Sequence, residues 1–419
     1  MSLLKTLKGA KFLRKKIIYA GILFFFFFSG IAPAQKEPPA PEKSLLPGET
    51  ESISPLTDDG ERLTLREAVE NSLSYFEKKS SSSNSFEKFS GYRGNRLPLE
   101  KASSSLALFR EILLNTPDRE EFARRIQERF DLKETAGRGQ EKKILLTGYY
   151  EPIIAGSLEA AGEYRYPVYR RPDDLVEVKS GDPPRGQVVT KRVGRVDRGQ
   201  VVPYYSRQEI DCRGVLKGKG YELVWLKDPW ERFVLHVQGS GQIRLPDGKV
   251  LRVGFAVSNG RPYRSIGRYL VSKGFFTEQE LSLGRIKEFL QKYPEKRDEI
   301  FNLNERYVFF RPLPFPTRGQ EGPLGSLGFP LIPGRSVATD HSIFPPGALA
   351  YLIGQQPVFD DQGNLSGRKN IRRFVLNQDT GAAMKGPARV DLFCGSGEKA
   401  GWVAGEMREE GRIYLLIAK

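Results

Sequence analysis

Residues 334–353, GRSVATDHSIFPPGALAYLI, begin the part of the chain that decides its fold. From here to the C-terminus, short β-like runs alternate with Gly and Pro, and most have no helical pattern between them. The runs are Ser336–Ala338, Ala348–Ile353, Arg373–Leu376, Val390–Phe393 and Ile413–Ala418. Many short strands separated by turn residues are typical of a small closed barrel. This C-terminal region is therefore predicted to form a β-barrel.

Upstream of this region the sequence is β-rich. Phe233–Val237 alternates apolar and polar residues, residues 246–248 (Pro-Asp-Gly) form a hairpin turn signal, and Val250–Phe255 resumes the alternation. Thr277 and Glu280 have the spacing of a capping box and predict that a helix follows them and ends before Pro294. Its apolar face is Ile286, Phe289, Leu290 and Tyr293.

The first part of the folded chain has helical periodicity. Residues 64–67 (Thr-Leu-Arg-Glu) resemble a capping box that opens an amphipathic helix through Phe76, and a Ser-rich stretch from Lys79 to Ser85 ends the pattern. The periodicity returns around Phe109 and again from Pro117 to Phe130. The protein is thus predicted to be mainly β with a few helices.

The N-terminus has the order of a secretory signal. A basic stretch is followed by an apolar run over residues 17–31 and by Ala32-Pro33-Ala34, which predicts cleavage after Ala34. An uncleaved anchor is the alternative, although fifteen apolar residues are short for a spanning helix. Residues 1–34 are assigned to the signal and residues 35–58, rich in Pro, Glu and Ser, to a flexible tether.

Composition excludes several classes of protein. The mean hydropathy of −0.44 argues against a multi-span membrane protein, and 39% hydrophobic residues suit a globular one. Six of the fifteen net positive charges precede Ala34, which leaves +9 for the rest of the chain. An exported basic protein meets an anionic cell wall or anionic lipid rather than nucleic acid, and no nucleic-acid motif is found. A merely solvated basic surface is the alternative.

The inventory of reactive side chains is small. His236 and His341 are the only histidines and Cys212 and Cys394 the only cysteines, and their spacing matches no zinc pattern. A disulfide between the two cysteines stays open. No nucleophile elbow, phosphate loop or dinucleotide loop is found, so no metal or cofactor is expected. Carboxylates, aromatic rings and amides remain, and these suit carbohydrate chemistry.

Three aspartates lie where a short apolar run meets a loop. They are Asp340 in VATDHS, Asp379 in NQDTG and Asp391 in RVDLF. Nearby glycines allow close approach of backbone to a ligand or to another strand. An aspartate in such a setting is a catalytic candidate, and a plain turn residue is the alternative.

Ordered motifs extend over most of residues 63–419. They are LTGYYEP (146–152), VQGSG (237–241), NGRPYRSIG (259–267), YVFF (307–310), GRSVATD (334–340), PPG (345–347), QDTGAAMKG (378–386) and VDLF (390–393). Together they resemble the membrane-bound lytic murein transglycosylase A family, and residues 322–401 resemble the 3D domain, which is named for three aspartates. The resemblance implies a double-psi β-barrel built from residues 59–164 and 305–419, with a smaller β-rich domain, residues 165–304, inserted into it. A glycan strand would lie between the two domains.

The resemblance also assigns roles. It implies that Asp391 is the single acid catalyst, which cleaves peptidoglycan glycan strands and leaves a 1,6-anhydromuramyl end. The implied substrate-binding residues are Thr147, Tyr149, Tyr150, Gln238, Ser240, Arg264, Asp379 and Lys385. Each has an alternative: a buried strand pair for the tyrosines, a Gly-Ser-Gly turn for Gln238 and Ser240, and an ion pair for Arg264. The alternative for Asp379, and also for Asp340, is a structural role in which the aspartates hold the barrel loops and Lys385 together.

Two other functions remain open at this point: a hydrolytic glycosidase on the same barrel and a non-catalytic wall-binding module. The chain is expected to be an exported monomer of the periplasm whose partner is peptidoglycan, with other cell-wall enzymes as candidate partners. The familiar enterobacterial member of the family is a lipoprotein, whereas the first cysteine of this chain is Cys212. Attachment to the outer membrane through a lipid is therefore not expected.

Overall fold

The computed structural model describes residues 53, 55–81, 98–134, 143–179, 191–314 and 322–419. The predicted signal and nearly all of the predicted tether lie outside these ranges. The helices are α1 (Arg62–Ser80), α2 (Leu99–Asn115), α3 (Arg119–Arg129), α4 (Arg207–Asp211), α5 (Pro229–Gln238), α6 (Ile266–Ser272), α7 (Leu283–Lys292), α8 (Arg297–Leu303) and α9 (Glu398–Glu406). Within the described ranges, no helix has the length and apolar character needed to cross a bilayer.

Sixteen strands complete the described elements. They are β1 (Phe130–Glu134), β2 (Ile144–Glu151), β3 (Ile153–Ser157), β4 (Tyr166–Tyr169), β5 (Leu175–Lys179), β6 (Lys191–Asp197), β7 (Gln200–Pro203), β8 (Glu222–Leu226), β9 (Ser240–Arg244), β10 (Val250–Ser258), β11 (Val308–Leu313), β12 (Ser336–Ala338), β13 (Leu349–Phe359), β14 (Leu365–Asp379), β15 (Arg389–Ser396) and β16 (Arg408–Ala418).

The C-terminal strands form the predicted barrel. Its order is β16-β13-β14-β12-β15-β2, and pairing of β16 with β2 closes it. Two of its pairs, β12–β14 and β15–β2, are parallel, whereas the others are antiparallel. All five β-like runs quoted from the sequence fall in barrel strands, except that Ala348 directly precedes β13. The predicted fold class, a mainly β protein with a barrel and a few helices, is confirmed.

Helices α1–α3 cover one side of this barrel with their apolar faces. Leu65, Phe109 and Phe122 are buried in one core with barrel residues Phe374 and Leu392. The helical periodicities in the sequence are confirmed, but the first capping box is wrong. Helix α1 begins at Arg62, and the Thr64 hydroxyl donates to the Glu61 carbonyl instead of capping a helix end.

A second sheet of six strands has the order β11-β10-β9-β3-β8-β4, and β5-β6-β7 form a separate three-stranded sheet. Strands β3 and β11 lie in the second sheet, although the sequence placed them in the two barrel portions. The reason is pairing: β3 joins β9 in parallel and β11 joins β10 antiparallel. The division into a barrel and an inserted domain remains a prediction. The pairing favours boundaries near Pro152 and Leu313 over Arg165 and Asn304.

The strand predicted at Phe233–Val237 is wrong, because these residues belong to α5. Asp228 caps this helix by accepting from the Trp230 backbone N–H, Pro229 occupies its first turn, and Gly239 ends it with a left-handed φ of 83°. The helix is buried from two sides, with Phe233 in one apolar cluster and Leu235 in another, which produced the misleading alternation. The hairpin turn at 246–248 is correct, but its first strand is β9.

The second capping box forms its hydrogen bonds but does not start a helix. The Thr277 hydroxyl and backbone N–H both donate to Glu280 Oε2. Helix α7 begins at Leu283, and Ser282 caps it by accepting from the Arg285 backbone N–H. The predicted buried face is present, since Ile286 and Leu290 are both buried, and the helix ends before Pro294 as expected.

Candidate active site

Four neighbouring strands of the barrel bring the candidate residues to one level. Asp379 on β14 lies opposite Ala338 on β12, Ala338 lies opposite Asp391 on β15, and Asp391 lies opposite Thr147 on β2. Side chains at opposed positions of adjacent strands project from the same face of a sheet. Val390 and Leu392 are fully buried in the core on the other face. The alternation along β15 therefore turns Asp391 away from the core.

Asp391 is held by two donors on one of its oxygens. The Thr147 hydroxyl donates to Asp391 Oδ1, and Arg389 Nε lies 3.4 Å from the same atom. Neither contact involves Oδ2. When the carboxyl is protonated, the proton is therefore best placed on Oδ2, since Oδ1 is already an acceptor. This leaves a donor free to act on a bound substrate.

The pKa of Asp391 is raised from 3.8 to about 6. Burial is the main cause, because it disfavours the charged carboxylate; the Asp379 carboxylate raises the pKa further, while Arg389 opposes both. The side chain is 17% exposed, so it is reachable from solvent despite its setting. A carboxyl with this pKa is substantially protonated in mildly acidic solution, as a general acid requires.

Asp379 and Asp340 hold loops. Asp379 Oδ1 accepts the Ser326 backbone N–H at 2.9 Å, and Asp340 Oδ2 accepts the Gly386 backbone N–H at 2.8 Å. Burial raises the pKa of Asp379 as well. Lys385 is exposed, and its side chain makes no ion pair within the described ranges. The loop-holding interpretation thus fits both aspartates, through backbone groups rather than through Lys385.

The Tyr149 hydroxyl is buried beside the Asp379 carboxyl and forms no hydrogen bond of ordinary geometry in the part of the chain that the structure describes. Its ring packs on Phe393 with centroids 5.3 Å apart. Burial, followed by the nearby carboxylates of Asp379 and Asp391, raises the pKa of Tyr149 well above its usual value, so the phenol stays neutral. A buried, neutral O–H beside the acid is a donor that a ligand can use.

Tyr150 projects from β2 on the opposite face from Thr147 and Tyr149. Its ring packs against Gly401 of α9 and against the cluster that contains Trp230. Its backbone N–H donates to Gln238 Oε1 at 3.2 Å, which ties the end of α5 to the barrel strand. Tyr150 therefore lies on the face of β2 opposite to that of Thr147 and Tyr149, and its substrate-binding role stays a prediction.

Ser240 and Arg264 lie outside the barrel. Ser240 begins β9 opposite Gly254, directly after the left-handed Gly239. Arg264 is exposed, and its backbone N–H donates to Asn304 Oδ1 at 3.2 Å. Over the described ranges Arg264 forms no ion pair, so the alternative proposed for it has no support from the structure.

Glu151 forms a junction that sequence reasoning missed. Its side chain is fully buried and accepts from Ser396 Oγ at 2.7 Å on the barrel and from Gln242 Nε2 at 2.8 Å on the second sheet. Arg252, which is also buried, adds an ion pair at 3.3 Å. One carboxylate therefore fastens the barrel to the second sheet next to the candidate site. The sequence offered one signal for this junction, since Glu151 is the single charged residue of the motif LTGYYEP.

Arg389 and Tyr263 were also missed. Arg389 lies two residues before Asp391 on one strand, so the period of two could have placed both on one face. The pKa of Tyr263 is raised by burial, and Arg389 and Asp391 both contribute to its electrostatic surroundings. Tyr263 therefore brings the segment after β10 close to the acid, which sequence spacing alone does not predict. No group of three or more His, Cys, Asp or Glu in the described ranges is arranged to hold a metal ion.

Comparison with known proteins adds independent observations. Residues 145–311 match the family model described as the MltA specific insert domain, and residues 335–417 match that of the 3D domain. The chain is 33% identical over 276 residues to the membrane-bound lytic murein transglycosylase A of Escherichia coli K12, a match covering 65% of each chain. It thus spans slightly less than two thirds of that relative's length.

Two solved structures are similar over most of the chain. A membrane-bound lytic murein transglycosylase from Agrobacterium tumefaciens is 28% identical with a TM-score of 0.68, covering 86% of this chain and 93% of that one. E. coli MltA with bound chitohexaose is 27% identical with a TM-score of 0.61, covering 84% and 90%. The bound hexasaccharide is a glycan, so this neighbour is a carbohydrate-binding protein.

Proposed function

We propose that the chain is a member of the membrane-bound lytic murein transglycosylase A family and cleaves the glycosidic bond between N-acetylmuramic acid and N-acetylglucosamine in peptidoglycan. The observation that carries this proposal is Asp391, whose pKa of about 6 and free Oδ2 suit proton donation to a bridging oxygen. The glycan bound by the E. coli relative supports the substrate class.

The mechanism uses one acid. Protonated Asp391 donates from Oδ2 to the oxygen that links the two sugars, and the bond to the muramyl C1 breaks. The carboxylate so formed then accepts the proton of the C6 hydroxyl of the same sugar as that oxygen attacks C1. A 1,6-anhydro ring closes, and no water is consumed. An acceptor held in the same molecule reacts with a high effective concentration, so no positioned water is needed.

Thr147 and Arg389 act on Asp391 rather than on the sugar. Both donate to Oδ1 and stabilise the carboxylate that forms when the proton leaves. Burial acts in the opposite direction and keeps the acid protonated beforehand. The two effects balance at a pKa at which Asp391 can both give and accept a proton.

The remaining assignments are proposals about substrate binding. The Tyr149 hydroxyl donates to a sugar oxygen, and the Asp379 carboxyl and the exposed Lys385 also contact the glycan. Gln238 at the end of α5 and Ser240 at the start of β9 contact N-acetyl groups, and Arg264 meets a carboxylate of the muramyl ether or stem peptide. Asp340, which holds a loop, takes no part. The glycan lies between the barrel and the inserted domain.

Location and partners follow from the proposed substrate. We propose an exported monomer of the periplasm that is released by cleavage after Ala34 and associates with the cell wall, with other cell-wall enzymes as partners. The relatives are membrane-bound by name, which is consistent with a position at the outer membrane.

The product identifies the reaction. Purified murein is digested with the protein, and the new glycan ends are analysed by mass spectrometry. Anhydromuramyl ends, lighter than reducing ends by one water, support the proposal. Reducing ends would instead identify a hydrolase in which Asp379 activates water. Binding without any cleavage would identify a wall-binding module.

A further inference from the structure

The segment that leads into α1, residues 55–60, is packed onto the barrel. Leu56 is 1% exposed and belongs to the barrel core. The Thr57 carbonyl accepts the Tyr351 hydroxyl of β13 at 2.6 Å. Residues 55–58, the end of the predicted tether, are thus fastened to the barrel. We call residues 55–60 the N-terminal clasp.

The clasp lies along an edge of β14. The backbone N–H groups of alternate residues in a strand point to the same edge, and β12 covers this edge of β14 from Leu376 onward. Before that point the N–H groups belong to the clasp. The Phe374 N–H donates to Asp58 Oδ2 at 2.9 Å, and the Arg372 N–H donates to Asp59 Oδ1 at 3.2 Å. The Asp59 N–H donates in return to the Arg372 carbonyl at 2.9 Å. The clasp therefore continues the line of β12 along β14.

The two aspartates of the clasp each hold a buried arginine of the barrel. Arg335 is 1% exposed, and its Nη1 and Nη2 donate to the two oxygens of Asp58 at 2.8 and 2.7 Å. Arg373 donates from Nε to Asp59 Oδ1 at 2.8 Å and pairs with Asp59 Oδ2 as well. Two parallel hydrogen bonds between a guanidinium and a carboxylate fix the orientation of both groups. The clasp therefore sets where these two arginines lie.

Both arginines act on the turn that starts β12. Arg335 is part of this turn, and Arg373 Nη1 lies 3.5 Å from the Gly334 carbonyl. The Gly334 N–H donates to the Phe393 carbonyl of β15 at 2.7 Å. Asp391 lies two residues before Phe393 on that strand, opposite the end of β12. A continuous series of contacts thus joins the clasp to the candidate acid.

We propose that the N-terminal clasp positions Asp391. Through its two aspartates and their arginines it holds the start of β12 against β15, and so it keeps the acid in its buried setting. Asp58 and Asp59 are therefore positioning residues and do not touch the substrate. This inference rests on the proposed function, under which Asp391 is the acid.

Gly60→Ala tests the clasp without changing a charge. A Cβ at this position would lie 2.4 Å from Arg335 Nη2, so the guanidinium has to leave its place against Asp58. The φ of Gly60 lies outside the left-handed region, so the backbone accepts alanine. Gly284→Ala is the matched control, because there the nearest atom, Ser282 Oγ, lies 3.8 Å from the added Cβ.

Two further variants act on other contacts of the clasp. Asp58→Asn removes the charge that faces Arg335 and keeps the size of the side chain. Leu56→Ala removes the apolar contact of the clasp with the barrel core. Leu270→Ala is its matched control, since Leu270 is equally buried but lies in another apolar cluster. Both leucine variants are expected to lower the melting temperature, so a difference between them at Asp391 is not an effect of lost stability.

The readout is the pKa of Asp391, measured by nuclear magnetic resonance on full-length protein with isotope-labelled aspartate carboxyl groups. The absence of one signal from Asp391→Asn identifies the resonance. The pKa is expected near 6 in the parent and lower in the three clasp variants, because a carboxyl exposed to more water ionises more readily. The titratable groups around Asp391 are the same in all of these variants: Arg389, Asp379, Tyr149, Tyr263 and Cys394.

Murein cleavage should follow the titration. If ionisation of Asp391 becomes ten times more favourable, its protonated fraction at pH 6 falls about fivefold, and the cleavage rate falls with it. Agreement between Gly60→Ala and Asp58→Asn would show that the effect does not come from the removed charge. The two control variants are expected to keep the pKa and the pH–rate profile of the parent.

An unchanged pKa of Asp391 in all three clasp variants would overturn the proposal. An equal fall in Leu56→Ala and Leu270→Ala would overturn it too, since the effect would then follow from lost stability in general. The titration needs no substrate. If the parent does not cleave murein, the proposed function fails, while the titration still decides whether the clasp positions Asp391.

Discussion

Asp391 and Asp379 lie in register on either side of Ala338, on three neighbouring strands of the barrel. Two strand spacings, roughly 9.5 Å, separate their backbones. Each carboxyl raises the cost of ionising the other, and Asp379 contributes to the raised pKa of Asp391.

Asp391→Asn is expected to reduce cleavage of purified murein at least about 100-fold, because the amide has no acidic proton to give. Circular dichroism and murein binding should be unchanged. Asp340→Asn is the matched control, since it keeps an acceptor for the Gly386 N–H and lies outside the proposed chemistry. If the Asp391 variant retained more than about a tenth of the parent rate, another residue would have to be the acid.

The same substitution should change how stability depends on pH. The folded pKa of Asp391 is about 6 and the unfolded value is 3.8, so folding binds the proton more tightly. Below pH 3.8 the carboxyl is protonated in both states and does not lower the stability of the protein. As the pH rises from 3.8 through 6, the free energy of unfolding falls by up to about 3 kcal/mol. Denaturant unfolding at several pH values should show that the free energy of unfolding of the Asn variant rises relative to that of the parent across this window. A constant difference would contradict the raised pKa.

The donors on Oδ1 should set the position of the pH–rate profile. Arg389 lowers the pKa of Asp391, and the Thr147 hydroxyl stabilises its ionised form. Arg389→Gln and Thr147→Val are therefore expected to raise the pKa and shift the loss of activity to higher pH, with a reduced maximal rate. Initial rates across the pH range measure this shift. A lower rate with an unshifted profile would mean that both residues act on the substrate.

Tyr149→Phe separates a ligand-binding role from a structural one. The hydroxyl is buried beside the Asp379 carboxyl without a hydrogen bond of ordinary geometry in the described structure, so its removal should change the melting temperature little. If the hydroxyl donates to the glycan, the substitution raises KM or lowers kcat by a factor equivalent to about 1 kcal/mol. Gln238→Ala, which also loses the contact with the Tyr150 N–H, should weaken binding and cost some stability. Unaltered kinetics in both variants would place the glycan elsewhere.

Glu151→Ala should be strongly destabilising. It leaves the buried Arg252 without its carboxylate and removes the acceptor for Gln242 and Ser396. The loss of one partner of a buried ion pair typically costs about 3–5 kcal/mol. Thermal and denaturant unfolding measure the loss, and Glu278→Ala, whose ion pair with Arg408 is exposed, is the control with a small effect. Similar losses in the two variants would mean that Glu151 does not fasten the barrel to the second sheet.

The local sequence pattern predicted a strand or helix correctly where that element has a single buried face. The barrel runs such as Val390–Phe393 alternate between core and cleft, and α7 has one buried stripe, so both were predicted correctly. Helix α5 was missed because it is buried on two sides, which hides the helical period. Tyr149 and Tyr150 are neighbours in sequence but point to opposite faces of their strand, so their adjacency alone does not bring both rings to one surface.

The sequence by itself determined the fold class, the family resemblance and the choice of Asp391 as the candidate acid, because ordered motifs and strand periodicity are properties of the chain alone. The tertiary structure decided what surrounds that acid. Asp379, Ala338 and Thr147 come from three other strands and reach Asp391 only through barrel register, and Glu151 meets Ser396 and Gln242 across two sheets. Contacts between segments so distant in sequence depend on strand pairing, and so do the burial and charges that set the pKa of Asp391.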